Sequence, residues 1–523
     1  METSLSYIDF IVIAVYVAGL MGLGFWVSFR RKESQDYFLA GKNLGWKTIG
    51  LSIFGTNISP MMLISSSGVA FAYGMVANNF EWLAWIFLVL MAMVFLPYYL
   101  SSNISTMPEF ILKRFGKPSR NFLSWLIFFQ ITIGIGSVLY AGAILMGQIL
   151  DWPLGISLLL ITFISASFTI TGGLEAVAIT DAFQSILMIV ACSILSFVGI
   201  MAVGGFEELY ARVPSDHWVL FRPASDSAYP WPAIVLGYPV MAIWYWCANQ
   251  TIVQRALGAK SLKEAQKGIL FTSYLKILVP IIFFLPGIVC VALYPDLEDP
   301  DSAFMTMVVN HLPSGMIGLI VSVLLAALIS TVNSMLNSAS TIFTLDIYKN
   351  VSKTPKSQNH LQRVGQVVTG LVAFLGLFIA YGLSAVKGMN LFDLINSIFS
   401  FLSPSLAVVF LLGITWKKSS RTAAYYTLVL GNIPCIIIGV LYLAGWPSKE
   451  FWPHFLMLSF YLFAGLLLFM VFLSYWFPDK ERISWPTLRE TYLDSAGNSG
   501  IRNLWIGWAG LAVIMGFLYV IFN

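Results

Sequence analysis

The residues able to do chemistry here are few, and most are polar groups set inside apolar runs. "GTNISPMM", Gly55 to Met62, places a glycine, an asparagine and a proline in one of the longest apolar stretches. Glu81 lies in "NNFEWLAW", Asp181 in "AITDAFQS", Lys276 in "TSYLKILVP", and Asp393 and Asn396 in "LFDLINS". Charge at membrane depth is costly and is retained chiefly for function. "AALISTVNSMLNSASTIFTLDIYK" adds Ser330 and Thr331 among other small polar residues. Most of those small residues read as helix–helix packing groups. Ser330 and Thr331 differ, because their hydroxyls can serve a hard cation. An unwound "GTNI" would offer the carbonyls of Gly55 and Ile58 to the same ion. Neutral oxygens of this kind replace the hydration shell of a monovalent cation.

No catalytic constellation competes with that reading. His217, His311, His360 and His454 fall in or near predicted loops, and Cys192, Cys247, Cys290 and Cys435 in or at the ends of apolar runs. Neither a metal-ligand cluster nor a Cys-x-x-Cys spacing results. The chain has no Gly-x-x-x-x-Gly-Lys-Ser/Thr motif, so no ATPase is expected. Enzyme chemistry, nucleic-acid binding and any cofactor beyond a coupling ion are not expected.

Membrane helices must position these residues. Of 523 residues, 58% are hydrophobic and 10% charged, and mean hydropathy is +0.81. A soluble protein of that composition could not cover itself with polar surface. Apolar runs of about 20 residues recur, each long enough to cross the hydrocarbon layer. The pattern predicts an all-α polytopic membrane protein with about fourteen transmembrane helices. The spans that matter most are 45–73, 78–100, 155–172, 181–204, 232–256, 267–294, 304–348 and 391–415. The 304–348 stretch is too long for one crossing and should break near Pro313. The N-terminal run lacks a basic leader and reads as a first spanning helix, not a signal peptide.

Charge sets the orientation. With the N-terminus outside, alternate loops should be cytoplasmic and rich in Lys and Arg. Of 29 basic residues, 24 fall in those loops. Arg212, Arg222, Lys387 and Lys449 fall outside, and Lys276 within a helix. Both termini are therefore expected to be external, in a plasma (bacterial inner) membrane.

Two helices carry interruptions. Gly55, Asn57 and Pro60 fall near the middle of the second, and Gly237 and Pro239 in the seventh. Inside lipid, unwound backbone is tolerated only where it lines a cavity or is buried in protein. Breaks five helices apart point to an inverted-repeat transporter with its site between them. Proline kinks of packing origin are the alternative.

Several segments are specific to one family. "YFLAGKNLGW", "NIS" followed by "GMVANNFEW", "MPEFILKRF", "TGGLEAVAITD", "QRALGAKSLKEAQKGI", "NSMLNSASTIFTLDIYK" and "SPSLAVVFLLGITWKK" span nearly the whole chain. On these the chain resembles the sodium/solute symporter family, in its sodium/glucose (galactose) cotransporter branch. The resemblance implies a leucine-transporter-like fold of two inverted five-helix repeats with flanking helices. The expected division is 1–44 for an extra helix and loop, 45–204 for the first repeat, 205–415 for an external loop and the second repeat, and 416–523 for flanking helices. It implies sodium ligands in the carbonyls of Gly55, Ile58 and Ala327 and the hydroxyls of Ser330 and Thr331, with Asp181 behind them. For the solute it implies Asn57, Glu81, Lys276 and Asn396 as hydrogen-bonding groups. Tyr245 would be the inner-gate aromatic, with Trp246 beside it.

The departures bear on the solute. Met62 stands where the galactose symporter has a glutamine, Ala242 where it has an asparagine, and Ala84 where it has a serine. Phe80 replaces a tyrosine next to the glutamate. A buried hydroxyl left unpaired costs about 1–3 kcal/mol, so galactose itself is in doubt. A deoxy or anhydro sugar, a uronate-derived keto acid or another monosaccharide fits as well. The expected function is sodium-coupled import of a sugar or sugar-derived solute by alternating access. A carboxylate, amino acid or polyol symporter is the alternative, with a channel or a transporter-like sensor further behind. The expected partners are the solute, Na+ and the bilayer. A monomer is expected to suffice, with a dimer left open.

Overall fold

The computed structural model describes residues 5–30, 36–150, 152–352, 355–383, 391–479, 486, 488–495 and 499–522. Among them, eleven helical stretches are long and apolar enough to cross a membrane. One of these, Met62–Ser101, contains two crossings joined by a 3-10 turn at Gly74–Asn78. Separating those two, and adding a shorter and an interrupted crossing, gives the fourteen expected.

We number the crossings in chain order. α1 is Tyr7–Arg30. α2 has two halves, α2a (Trp46–Asn57) and α2b (Pro60–Tyr73). α3 covers 79–101, and α4 is Lys117–Leu150. The continuous run Leu154–Val203 is kinked at Gly173 (φ 61°, ψ −157°), which divides it into α5 and α6. α7 has two halves, 233–248 (α7a) and Gln250–Leu257 (α7b). α8 covers 262–293, and α9 runs from Met316 to Ile342 with a π turn at Phe343–Tyr348. α10 is Gln358–Leu383, α11 Leu391–Thr415, α12 Arg421–Leu443, α13 Phe455–Trp476 and α14 Ser499–Ile521. The expected break near Pro313 is present, because the short helix Ala303–His311 precedes α9.

The two interruptions share a construction. α2a ends at Asn57, and Ile58 is extended. The Ser59 side chain accepts the Met62 N–H, and Pro60 opens α2b. Ser at an N-cap and Pro in the first turn are favoured because those N–H groups lack helical partners. In α7 the extended residue is Asn249, whose side chain accepts the Thr251 N–H at 2.8 Å. The α7 break therefore lies ten residues beyond Pro239. Gly237 and Pro239 keep helical angles at the junction of a π turn and an α turn. The reason for Gly237 is packing: a Cβ there would lie 2.1 Å from the Leu456 carbonyl oxygen. Main-chain bonds also join the entry of α2 to the exit of α7. Leu44 N–H donates to Gly258 O at 3.0 Å, and Lys260 N–H to Leu44 O at 3.1 Å.

Two further expectations change. Asp181 does not start the sixth helix; α6 begins just after Gly173, and Asp181 lies two turns in, fully buried. Arg255 does not sit in a cytoplasmic loop; it is fully buried within α7b. The side chain of Asp393 lies outside the described residues.

α1 holds α9 by its end. Asp9 accepts the N–H groups of Gly315 and Gly318, each at 2.7 Å, and thereby caps the α9 N-terminus from another helix. Asp9→Ala is expected to cost about 0.5–2 kcal/mol, the range for a lost cap. An unchanged unfolding midpoint of the purified protein would refute this.

His454 caps α13, its Nδ1 accepting the Leu456 N–H at 3.2 Å. Burial pushes its pKa down to about 4, with Asp226 opposing. In the unfolded chain the ring titrates near ~6.5. The folded protein thus prefers the neutral ring, and this contribution is complete above about pH 6.5. It should fade as pH falls through the window down to about 4. Unfolding midpoints against pH for wild type and His454→Gln should converge at low pH; parallel curves would reject the assignment.

Candidate functional site

The first cluster joins four helices at Asp181. Its Oδ1 accepts Ser330 Oγ at 2.5 Å from α9. Its Oδ2 accepts Ser52 Oγ at 2.8 Å and Thr56 Oγ1 at 3.3 Å from α2a, and Arg255 Nη2 at 3.1 Å from α7b. Arg255 also donates from Nε to Ser52 Oγ at 2.9 Å and from Nη2 to Ser334. Both charges are fully buried. A buried pair persists only when its remaining donors and acceptors are satisfied, and here hydroxyls from two helices do that.

The expected sodium ligands border this cluster. Gly55 lies in the last turn of α2a, where carbonyls lack onward helical donors. A Cβ at Gly55 would lie 2.4 Å from Ser185 Oγ and 3.1 Å from the Asp181 carbonyl oxygen, so the α2a backbone packs directly against α6 there. Ile58 is the first residue past the helix. Ala327, Ser330 and Thr331 lie on the face of α9 toward α2a, which Thr56 and Ser334 bridge at 3.2 Å. Thr331 Oγ1 donates to the Ala327 carbonyl at 2.9 Å.

Beside the break lies a cavity of about 130 Å³. Of the expected solute residues, Asn57, Met62, Phe80, Glu81, Ala242, Tyr245, Trp246 and Asn396 line it. Lys276 stands behind this wall. Its ammonium bonds both Asn57 and Glu81 and lies 4.9 Å above the Trp246 ring. Asn57 Nδ2 in turn donates to the Tyr245 hydroxyl at 3.2 Å. The break in α2, the start of α3, α7 and α8 thus meet in one network. Ala84 is different: it is buried three residues beyond Glu81 and is not part of the lining.

The lining also includes Ser59, Ser65, Tyr238, Met241 and Phe399, which the sequence reading missed. Helical spacing carried the signal for four of them. Ser65 is three residues from Met62, Phe399 three from Asn396, Met241 four from Tyr245, and Tyr238 four from Ala242. Such neighbours share a face. Ser59 lies in the break itself, where no helical period applies.

Discontinuous helices that meet at a buried polar cluster and a small cavity are the architecture of a membrane transporter of the 5+5 inverted-repeat fold. A family model described as "Sodium:solute symporter family" matches residues 37–431. Sodium/glucose cotransporter 4 of Danio rerio is 32% identical over 508 residues, covering 89% of this chain and 77% of that protein. The sodium/glucose cotransporter of Vibrio parahaemolyticus is 34% identical over 466 residues, covering 83% of this chain and 85% of that one. Sodium/myo-inositol cotransporter 2 of Bos taurus is 33% identical over 527 residues, covering 91% and 78%. Among solved structures, a Na+-coupled sialic acid symporter in a substrate-bound outward-open state superposes with a TM-score of 0.80. Its identity is 23%, over 91% of this chain and 100% of that one, which bears on fold alone. The chain belongs to the sodium:solute symporter family.

Proposed function

We propose that the chain imports a neutral sugar or polyol together with sodium by alternating access. The observation that carries this is the Lys276–Glu81 pair. Both groups are buried, and each is the other's counter-charge. Among the described lining residues, Glu81 alone bears a charge. A carboxylate solute would find no free cation there, and a cationic one no free anion. An unpaired charge in such a site is heavily penalised. A neutral ring with hydroxyls fits, and the relatives named for glucose and myo-inositol carry solutes of that kind.

The coupling ion is assigned to the space between α2a and α9. Its ligands are the carbonyls of Gly55, Ile58 and Ala327 and the hydroxyls of Ser330 and Thr331. The C-terminal end of α2a favours a cation there. Asp181 takes the Ser330 proton end, which leaves that oxygen's lone pairs for the ion. Sodium would steady the end of α2a and so hold Asn57 for the solute. Tyr245, bonded to Asn57, would then move aside to release it. A sodium ion moving down ~100 mV supplies about 2.3 kcal/mol, and a tenfold gradient adds about 1.4 kcal/mol. Lysine- and arginine-rich loops support external termini, and the breaks in α2 and α7 support 45–204 and 205–415 as the repeats.

Uptake into proteoliposomes tests the reading. Labelled glucose, galactose or myo-inositol should accumulate only with an inward sodium gradient. Equal accumulation without sodium, or on a proton gradient alone, would end the coupling claim. Preference for a uronate or an amino acid would end the neutrality claim. Thr331→Ala should raise the half-saturating sodium concentration roughly tenfold, about 1.4 kcal/mol, without altering solute rank order. Equal loss at all sodium concentrations would make Thr331 a packing residue instead.

A further inference from the structure

We propose, resting on the reading of Tyr245 as the inner gate, that Tyr99 is a positioning residue for that gate. Its hydroxyl fixes the end of α7a and so ties solute release to sodium. α7a ends in the π turn Ile243–Ala248, and the chain is extended at Asn249. The last carbonyls of a helix have no onward helical donors. One of them, on Cys247, is answered from another crossing: Tyr99 of α3 donates its hydroxyl to it at 2.8 Å. Both residues are fully buried. The Cys247 thiol donates to the Phe87 carbonyl at 3.5 Å, so α3 grips the same residue twice. Past the break, Gln250 Oε1 accepts the Met107 N–H at 2.8 Å, from the short helix Met107–Phe115 that follows α3. The α7 break is thus held on both sides, by α3 and by the segment after it.

Neither Tyr99 nor Cys247 lines the solute cavity. What their bond holds is Tyr245, two residues before Cys247 in the same π turn. Tyr245 is tied at its tip to Asn57 and at its backbone, through Cys247, to α3. The first tie depends on the end of α2a, where the sodium is assigned; the second does not. With the backbone tie intact, Tyr245 withdraws when Asn57 lets go. With it lost, the π turn carries an orphaned carbonyl in a buried place, which favours any shift that finds a new donor. Tyr245 can then withdraw whether or not sodium holds α2a. The Tyr99 ring packs edge-on against Phe95 and Phe110, at 6.1 and 5.0 Å between ring centres. Loss of the hydroxyl alone leaves those contacts in place.

Two fluxes measured on the same proteoliposomes test this, with whichever of labelled glucose, galactose or myo-inositol wild type accumulates. One is uptake on an inward sodium gradient. The other is efflux of preloaded solute into sodium-free medium with no sodium inside. In Tyr99→Phe the ratio of sodium-free efflux to sodium-driven uptake should rise about tenfold over wild type, the change in population for ~1.4 kcal/mol. Tyr98→Phe, the same chemical change on the neighbouring residue, should leave the ratio at the wild-type value. Both fluxes falling together in Tyr99→Phe, with the ratio unchanged, would make the hydroxyl merely structural and overturn the proposal while sodium-coupled import stands. An equal rise in Tyr98→Phe would overturn it as well. Should Tyr99→Phe not be recovered folded, Gln250→Met on the far side of the break carries the test, with the same expected rise and the same overturning result. A wild-type protein that moves none of the three solutes in either direction ends the import reading, and the role of Tyr99 with it.

Discussion

Arg255→Met is expected to destabilise the protein by about 3–5 kcal/mol, the range for stripping one partner from a buried ion pair. The substitution leaves Asp181 charged, with no counter-ion at 3.1 Å and only hydroxyls around it. It also removes donors to Ser52 and Ser334, the groups through which α2a and α9 meet the pair. The double variant Asp181→Leu/Arg255→Met should recover much of that loss, because an apolar pair carries no desolvation cost. It should still fail to transport, since Ser330 then has no carboxylate to orient its hydroxyl. Unfolding midpoints of the single and double variants in nanodiscs, with the uptake assay beside them, decide this. A single variant within about 1 kcal/mol of wild type would mean that the cluster does not hold the four helices together.

Lys276→Met is expected to reduce uptake of the neutral solute at least about a hundredfold, or roughly 2.8 kcal/mol at ~1.4 kcal/mol per tenfold. It leaves the Glu81 carboxylate buried and unpaired, and it frees the Asn57 amide oxygen that anchors the break. Lys276→Arg keeps the charge but not the compact ammonium, so an intermediate value is expected. The reverse substitution sharpens the test of neutrality. Glu81→Gln removes the counter-charge and leaves the ammonium available, so a uronate should begin to compete. If Lys276→Met transports as well as wild type, the pair is structural and the solute does not depend on it. If Glu81→Gln gains no uronate competition, the pairing does not exclude carboxylates.

Legibility followed the strength of local signals. The α2 break is readable because Gly55, Asn57 and Pro60 each disfavour a continued helix. The α7 break was misplaced because Gly237 and Pro239 give the same local signal for a different reason. There the glycine admits the Leu456 carbonyl and the proline fits a helical turn. Asn249 ends a π turn and caps the next helix, yet by itself it reads as one more polar residue near a membrane surface. Arg255 was counted with the cytoplasmic charges because it neighbours a basic loop. Only packing shows that α7b carries it back against α6.

The sequence by itself determined the class of this protein. Composition requires membrane crossings, and the glycine, asparagine and proline of "GTNISP" mark one helix that breaks. Those properties depend on periods and residue types within one segment. The tertiary structure decided which side chains face each other. It joined Asp181 to Arg255 across 74 residues and Lys276 to Glu81 across 195. No local period encodes such pairings, because each depends on how separate helices rotate and slide as they pack. The consequence is chemical: Glu81, which lines the cavity, has its counter-charge in Lys276 behind it.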